Sequence, residues 1–215
     1  MPLTPPAARE TLHTRDIQIC GYRRADGLYD IEARLADAKT YGFVNHDRGF
    51  IEAGEKLHGM SLRLTLDETM TVVASEAATD HAPYAVCPSA APTFARLAGL
   101  RIKPGFLREA THRVGGPVGC THLRELLQQM ATVAFQTISP YRAWREAQEK
   151  GEAAEPGSDR LDARIAQKMQ AGRGAMVNSC RAYASDGEIV RRRWPELYTG
   201  VDAVEVPAPK PHAAE

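Results

Sequence analysis

Between residues 29 and 35 apolar side chains alternate with charged ones: Tyr29, Ile31, Ala33 and Leu35 against Asp30, Glu32 and Arg34. Period two predicts a strand with one buried face. The pattern returns at Met60, Leu62, Leu64 and Leu66, set against Ser61, Arg63 and Thr65. Asp67-Glu68 then makes a turn, and Thr69–Ala77, with Met70, Val72 and Val73, reads as a returning strand. Upstream, an extended stretch around Ile17 and Ile19 leads into Ala25-Asp26-Gly27. Asp-Gly is a hairpin signal, because glycine accepts a positive φ. Residues 42–56, with Asn45, His46, Asp47, Arg48 and Gly49, lack this alternation and read as a loop. Four strands with short connections predict a mostly antiparallel sheet.

The second half changes period. Ser89–Ala98 reads as a helix with Ser89 as N-cap, Pro92 in its first turn and Gly99 as its stop. Pro104–Val114 places Phe106, Leu107, Ala110 and Val114 on one side, and Gly115-Gly116 ends it. Cys120–Ser139 is the longest predicted helix, with Leu123, Leu127, Met130 and Ala134 forming its core stripe. Pro140 permits a break before Tyr141–Lys150 resumes helically. Asp159–Gln170 reads as a further helix, and Val177–Ala184 with Glu188–Arg193 as a terminal hairpin around Ser185-Asp186-Gly187. Strands first and helices second predict an α+β fold. Its mostly antiparallel N-terminal sheet is covered on one face by helices of the second half, and a C-terminal hairpin follows. The expected organisation is a flexible tail (1–14), a main α+β domain (15–148) and a linker or long loop (149–158). A C-terminal helix and hairpin (159–205) then pack on the main domain, before a second flexible tail (206–215).

Composition narrows the function classes. The 215 residues are 43% hydrophobic and 25% charged, as in globular chains. Lys+Arg and Asp+Glu both number 27, so the basic excess of a general nucleic-acid binder is missing. No apolar run approaches the ~20 residues of a membrane span. The opening MPLTPPAARETLHTRD has no apolar signal core, so a soluble cytoplasmic protein is expected. The four cysteines, Cys20, Cys87, Cys120 and Cys180, are then reduced thiols. No Walker loop, GxGxxG, GxSxG or HExxH is present, which argues against nucleotide hydrolases, Rossmann enzymes, α/β-hydrolases and zincins.

The chemistry concentrates in Gly115-Gly116-Pro117-Val118-Gly119-Cys120-Thr121-His122, a glycine-rich loop entering a long helix. Unpaired N–H groups and the positive dipole end favour a thiolate, carboxylate or phosphate there. Cys-x-His also suits zinc or iron. Cys87 occupies the same loop-to-helix setting. The metal hypothesis therefore joins Cys87, Cys120 and His122, with His58 or Cys180 as a further ligand and zinc or an iron–sulfur cluster as the cofactor. The competing reading makes Cys120 the start of the core stripe and His58 a strand-end residue. A third treats the chain as a small-molecule module, in which Gly116, Gly119 and Thr121 hold an anionic group and Arg23 and Arg24 add charge. The partner is then a small-molecule ligand or another protein, with neither membrane nor nucleic acid involved.

Taken together, GYRRADGLYDIEARLADAK, HGMSLRLTLD, PYAVCP, GGPVGCTHLRELL, NSCRAY and WPELY resemble the bacterial family called domain of unknown function 2889, over roughly residues 15–198. Arg23, Arg24, Asp26, Gly27, His58, Cys87, Cys120, His122 and Cys180 lie inside these words, and the resemblance assigns them no activity. The order of strands, cysteine loops and helices is also similar to iron–sulfur cluster assembly scaffolds. Cys87 and Cys120 fall at corresponding points, and His58 or Asp67 stands where those proteins carry an earlier cysteine.

Overall fold

The alternating segments pair as a four-stranded antiparallel sheet in the computed structural model, which describes residues 3–150 and 177–200. Its strands are β1 (His13–Arg23), β2 (Tyr29–Lys39), β5 (Lys56–Leu66) and β6 (Val72–His81), in the order β1-β2-β5-β6. The β2–β5 register sets Tyr29 against Leu66, Ile31 against Leu64, Ala33 against Leu62 and Leu35 against Met60. All eight side chains are buried, as the period-two reading expects. On the other face Glu32 accepts a 2.7 Å hydrogen bond from its register partner Arg63. A one-residue slip would reverse both faces, so burial fixes this register.

Three helical segments cover the apolar rows: a 3-10 helix (Cys87–Leu97), α1 (Phe106–Val114) and α2 (Thr121–Glu149). Phe94 and Leu97, then Phe106, Ala110 and Val114, then Leu123, Leu126, Leu127, Met130, Ala134 and Ile138 join the sheet residues in one cluster. Each large aliphatic side chain buried this way contributes about 1.5–3 kcal/mol. The chain divides into two compact units, Met1–Arg142 and Ala143–Glu215, and this core belongs to the first.

Several local expectations are corrected. Residues 42–56 hold a small hairpin, β3 (Phe43–Asn45) with β4 (Gly49–Ile51). Asn45 Oδ1 accepts from the N–H groups of Asp47 and Arg48, and Gly49 has φ +78, so side-chain turn chemistry substitutes for alternation. The segment from Cys87 to Leu97 is 3-10 rather than α, and its N-cap is Val86. The Ser89 hydroxyl bonds back to the Val86 carbonyl instead of capping. Leu107 is exposed, because α1 buries the i, i+4, i+8 set Phe106, Ala110 and Val114. Met70 lies in the β5–β6 turn with φ +65, held by Asp67, rather than inside a strand. Pro140 lies within α2 and does not end it. Proline removes one i→i−4 bond, and here the helix continues through that loss.

In the second unit the described residues 177–200 form no hairpin. A short 3-10 turn (Arg181–Tyr183) leads to α3 (Glu188–Arg193). Val190 and Trp194, four residues apart, are buried with Val177, Tyr183, Leu197 and Tyr198 around them. The helical spacing of these two residues, with Glu188 bonded to Arg191 one turn on, replaces the hairpin expected around Ser185-Asp186-Gly187. The predicted helix Asp159–Gln170, most of the 149–158 linker and the 206–215 tail lie outside the described residues. No helix among the described residues is long and apolar enough to cross a membrane.

Candidate metal centre

Beyond Leu35 and Met60 the buried rows of β2 and β5 each continue by one position on the same face. These positions are Asp37 and His58, which are register partners. On the other side of β2, Arg15 of β1 is also paired with Asp37. Strand pairing alone thus sets Arg15, Asp37 and His58 in one row across three strands. A register shift between Asp37 and Ala38 marks the end of regular β2–β5 pairing. The first turn of α2 brings His122 onto His58, with ring centroids 3.9 Å apart and planes inclined by 34°.

Asp37 is the hub. Its side chain is 1% exposed, against 12% for His58, 26% for His122 and 36% for Arg15. Arg15 grips it in a fork, Nε to Oδ1 at 2.7 Å and Nη2 to Oδ2 at 2.8 Å. The Nη1 of Arg15 donates to Glu125 at 2.9 Å, tying β1 to α2. His58 Nδ1 lies 2.9 Å from Asp37 Oδ2, and His122 Nε2 lies 3.9 Å from the same oxygen. Burial pushes the Asp37 carboxyl upward, but the hydrogen bonds and charge of Arg15, joined by His58 and His13, hold it below the usual carboxylate value. Burial, then the neighbouring His122, hold the His58 imidazole below its ordinary value against the opposing pull of Asp37. The result is an ionised carboxylate beside an imidazole biased towards its neutral form.

One ligand atom from each of Asp37, His58 and His122 lies within 4.8 Å of the other two. The three come from β2, β5 and α2, so the grouping is tertiary. Among the described residues no such group includes a cysteine. His58 and His122, both expected as ligands, are therefore brought together, and among the described residues no cysteine joins them. Cys120 is half-buried, directs its thiol to Met60 Sδ at 3.7 Å and packs against the core. Cys87 begins the 3-10 helix, and Cys180 is exposed in the second unit. All four thiols are free.

The glycine-rich loop and the paired arginines have local work. A Cβ on Gly119 would stand 1.7 Å from the Val114 carbonyl oxygen, so this glycine lets the loop close on the end of α1. Gly116 has φ +63 and Thr121 opens α2. Arg24 pairs with Asp26 and Asp30, and the Arg23 guanidinium lies over the Tyr141 ring at 5.6 Å.

Sequence reasoning passed over Asp37, Arg15, Glu125 and His13. A signal for Asp37 was present: it continues the buried parity of Tyr29, Ile31, Ala33 and Leu35, and a carboxylate at a buried position needs a partner. His13, expected in the N-terminal tail, opens β1, and its Nε2 lies 3.6 Å from Asp37 Oδ1.

A family model described as protein of unknown function (DUF2889) matches residues 13–136, more than half of the chain, and spans every side chain around Asp37. Neither a curated protein nor a solved structure matches the chain, so the likeness to iron–sulfur cluster assembly scaffolds gains no support. The chain belongs to the DUF2889 family.

Proposed function

We propose that this family member binds a single divalent transition-metal ion between Asp37, His58 and His122. The supporting observation is the convergence of one oxygen and two imidazole nitrogens, from three different elements, within 4.8 Å of one another. Two nitrogens and one carboxylate oxygen suit Zn²⁺ or Fe²⁺. An iron–sulfur cluster takes thiolates, and none is in the group. Metal ligands must be deprotonated, and the bias of His58 towards neutrality, with Asp37 ionised, prepares both. With Nδ1 of His58 2.9 Å from Asp37 Oδ2, an ion held by both atoms would take the place of the proton now shared between them. Arg15 neutralises the buried carboxylate and fixes its orientation, as outer partners of metal ligands do. A reducing cytoplasm is the setting that suits four free thiols.

The test is a titration of the purified full chain with Zn²⁺ against a chromophoric chelator. One equivalent is expected to bind. His58→Ala and His122→Ala are each expected to weaken it by at least the roughly 10–100-fold that the loss of an outer partner costs. Wild-type affinity in both variants, or no binding by the wild type, overturns the proposal.

A further inference from the structure

We infer that His13 is a fourth ligand, which closes the metal site; this rests on the metal reading of Asp37, His58 and His122. His13 lies two residues before Arg15 on β1 and therefore shares its face, the face that carries Asp37 on β2. Its Nε2 stands 3.6 Å from Asp37 Oδ1, too far for a hydrogen bond and close enough to reach the same ion by side-chain rotation. The side chain is 43% exposed at the very start of the strand, so that rotation meets little packing.

The other neighbours are engaged. Glu125 accepts from Arg15. The Cys120 thiol points to Met60 within the core cluster. Arg15 is a permanent cation and offers no lone pair. His13 is the neighbouring donor whose lone pair no hydrogen bond occupies among the described residues.

The consequence is chemical. Three protein ligands leave an open position for water or substrate, whereas four make a closed tetrahedral site of structural type. Three imidazoles and one carboxylate describe a site that holds its metal rather than one that activates a water. The ligand set would then span β1, β2, β5 and α2, so metal binding would also pin the edge strand to the helix.

The experiment is a Co²⁺ titration of the full chain followed by visible absorption, for the wild type and His13→Ala. Far-UV circular dichroism confirms that the variant is folded. The wild type is expected to give the intense d–d bands of four-coordinate Co²⁺. His13→Ala is expected to bind at least roughly 10-fold more weakly, with altered bands that added imidazole restores, by the same reasoning on lost partners. Co²⁺ binding by His13→Ala with unchanged affinity and spectrum overturns the role of His13 and leaves the three-ligand site standing. Failure of the wild type to bind Co²⁺ or Zn²⁺ overturns both.

Discussion

At Ile31 and Leu64 the pairing of β2 with β5 sets two aliphatic side chains side by side under the helices. Further along the same two strands, on the same face, it sets the Asp37 carboxylate beside the His58 imidazole. Helix α2 serves both ends. Leu123, Leu126 and Leu127 cover the apolar rows, while His122 and Glu125, interleaved with them in sequence, reach the polar end. The apolar end is stabilised by removal of hydrocarbon from water. At the polar end a carboxylate 1% exposed is tolerated because Arg15 forks onto it, and such a pair adds little net stability after desolvation. Equal burial thus has different physical origins at the two ends. The polar end is the one whose side-chain chemistry stability does not account for.

That contrast sets the largest expected effect. Leu64→Ala removes a fully buried side chain beneath the helices and is expected to cost about 2–5 kcal/mol in urea unfolding. His58→Ala in the metal-free protein is expected to cost about 1 kcal/mol, the worth of its bond to Asp37. Equal losses would make the polar end a structural core and break the comparison.

The loop that delivers α2 to both ends gives a smaller effect. A Cβ on Gly119 meets the backbone carbonyl of Val114, which cannot rotate away as a side chain would. Gly119→Ala is therefore expected to cost about 1–3 kcal/mol by forcing a backbone shift. A neutral outcome in the same unfolding assay would show the loop to be loosely packed, and would return these glycines to the ligand-binding role their spacing suggested.

The two ends also differ in how far the sequence discloses them. The apolar rows are legible because burial on one face of a strand repeats every second residue, and Tyr29 to Leu35 and Met60 to Leu66 repeat without a fault. His58 and His122 stand out as residue types with chemistry. Asp37 and Arg15 do not, since charged residues on strands are usually solvated; only the β1–β2 and β2–β5 registers bring them to His58. Register is a long-range property, and a period-two pattern leaves open which pair of residues faces which. The cysteines mislead for a related reason. Cys87 and Cys120 share a local setting at helix starts, and local setting carries no distance. The missed hairpin at Phe43–Ile51 and the helix at Glu188–Arg193 are short elements, decided by side-chain turns and a single buried pair rather than by periodicity.

The smallest effect sharpens the comparison from the apolar end, where a charge does structural work of another kind. Asp67 closes the β5–β6 turn, its Oδ1 accepting from the N–H and hydroxyl of Thr69 at 2.8 Å each and from the Thr71 N–H at 2.9 Å. Burial pushes its carboxyl upward, but these hydrogen bonds and the charge of Arg101 hold it below the ordinary value. A carboxyl whose folded pKa is depressed binds fewer protons folded than unfolded near that value. Its stabilisation is full above the unfolded value of ~3.9 and is lost as pH falls through the folded one. Asp67→Asn keeps an acceptor oxygen and removes the charge, so it is expected to cost under about 1 kcal/mol at neutral pH. In urea midpoints measured from pH 7 down to pH 3, the gap between wild type and variant should narrow as the medium becomes acidic. A gap that stays constant would mean that the turn depends on acceptor geometry alone, and that ionisation matters only at the end of the sheet where Asp37 lies.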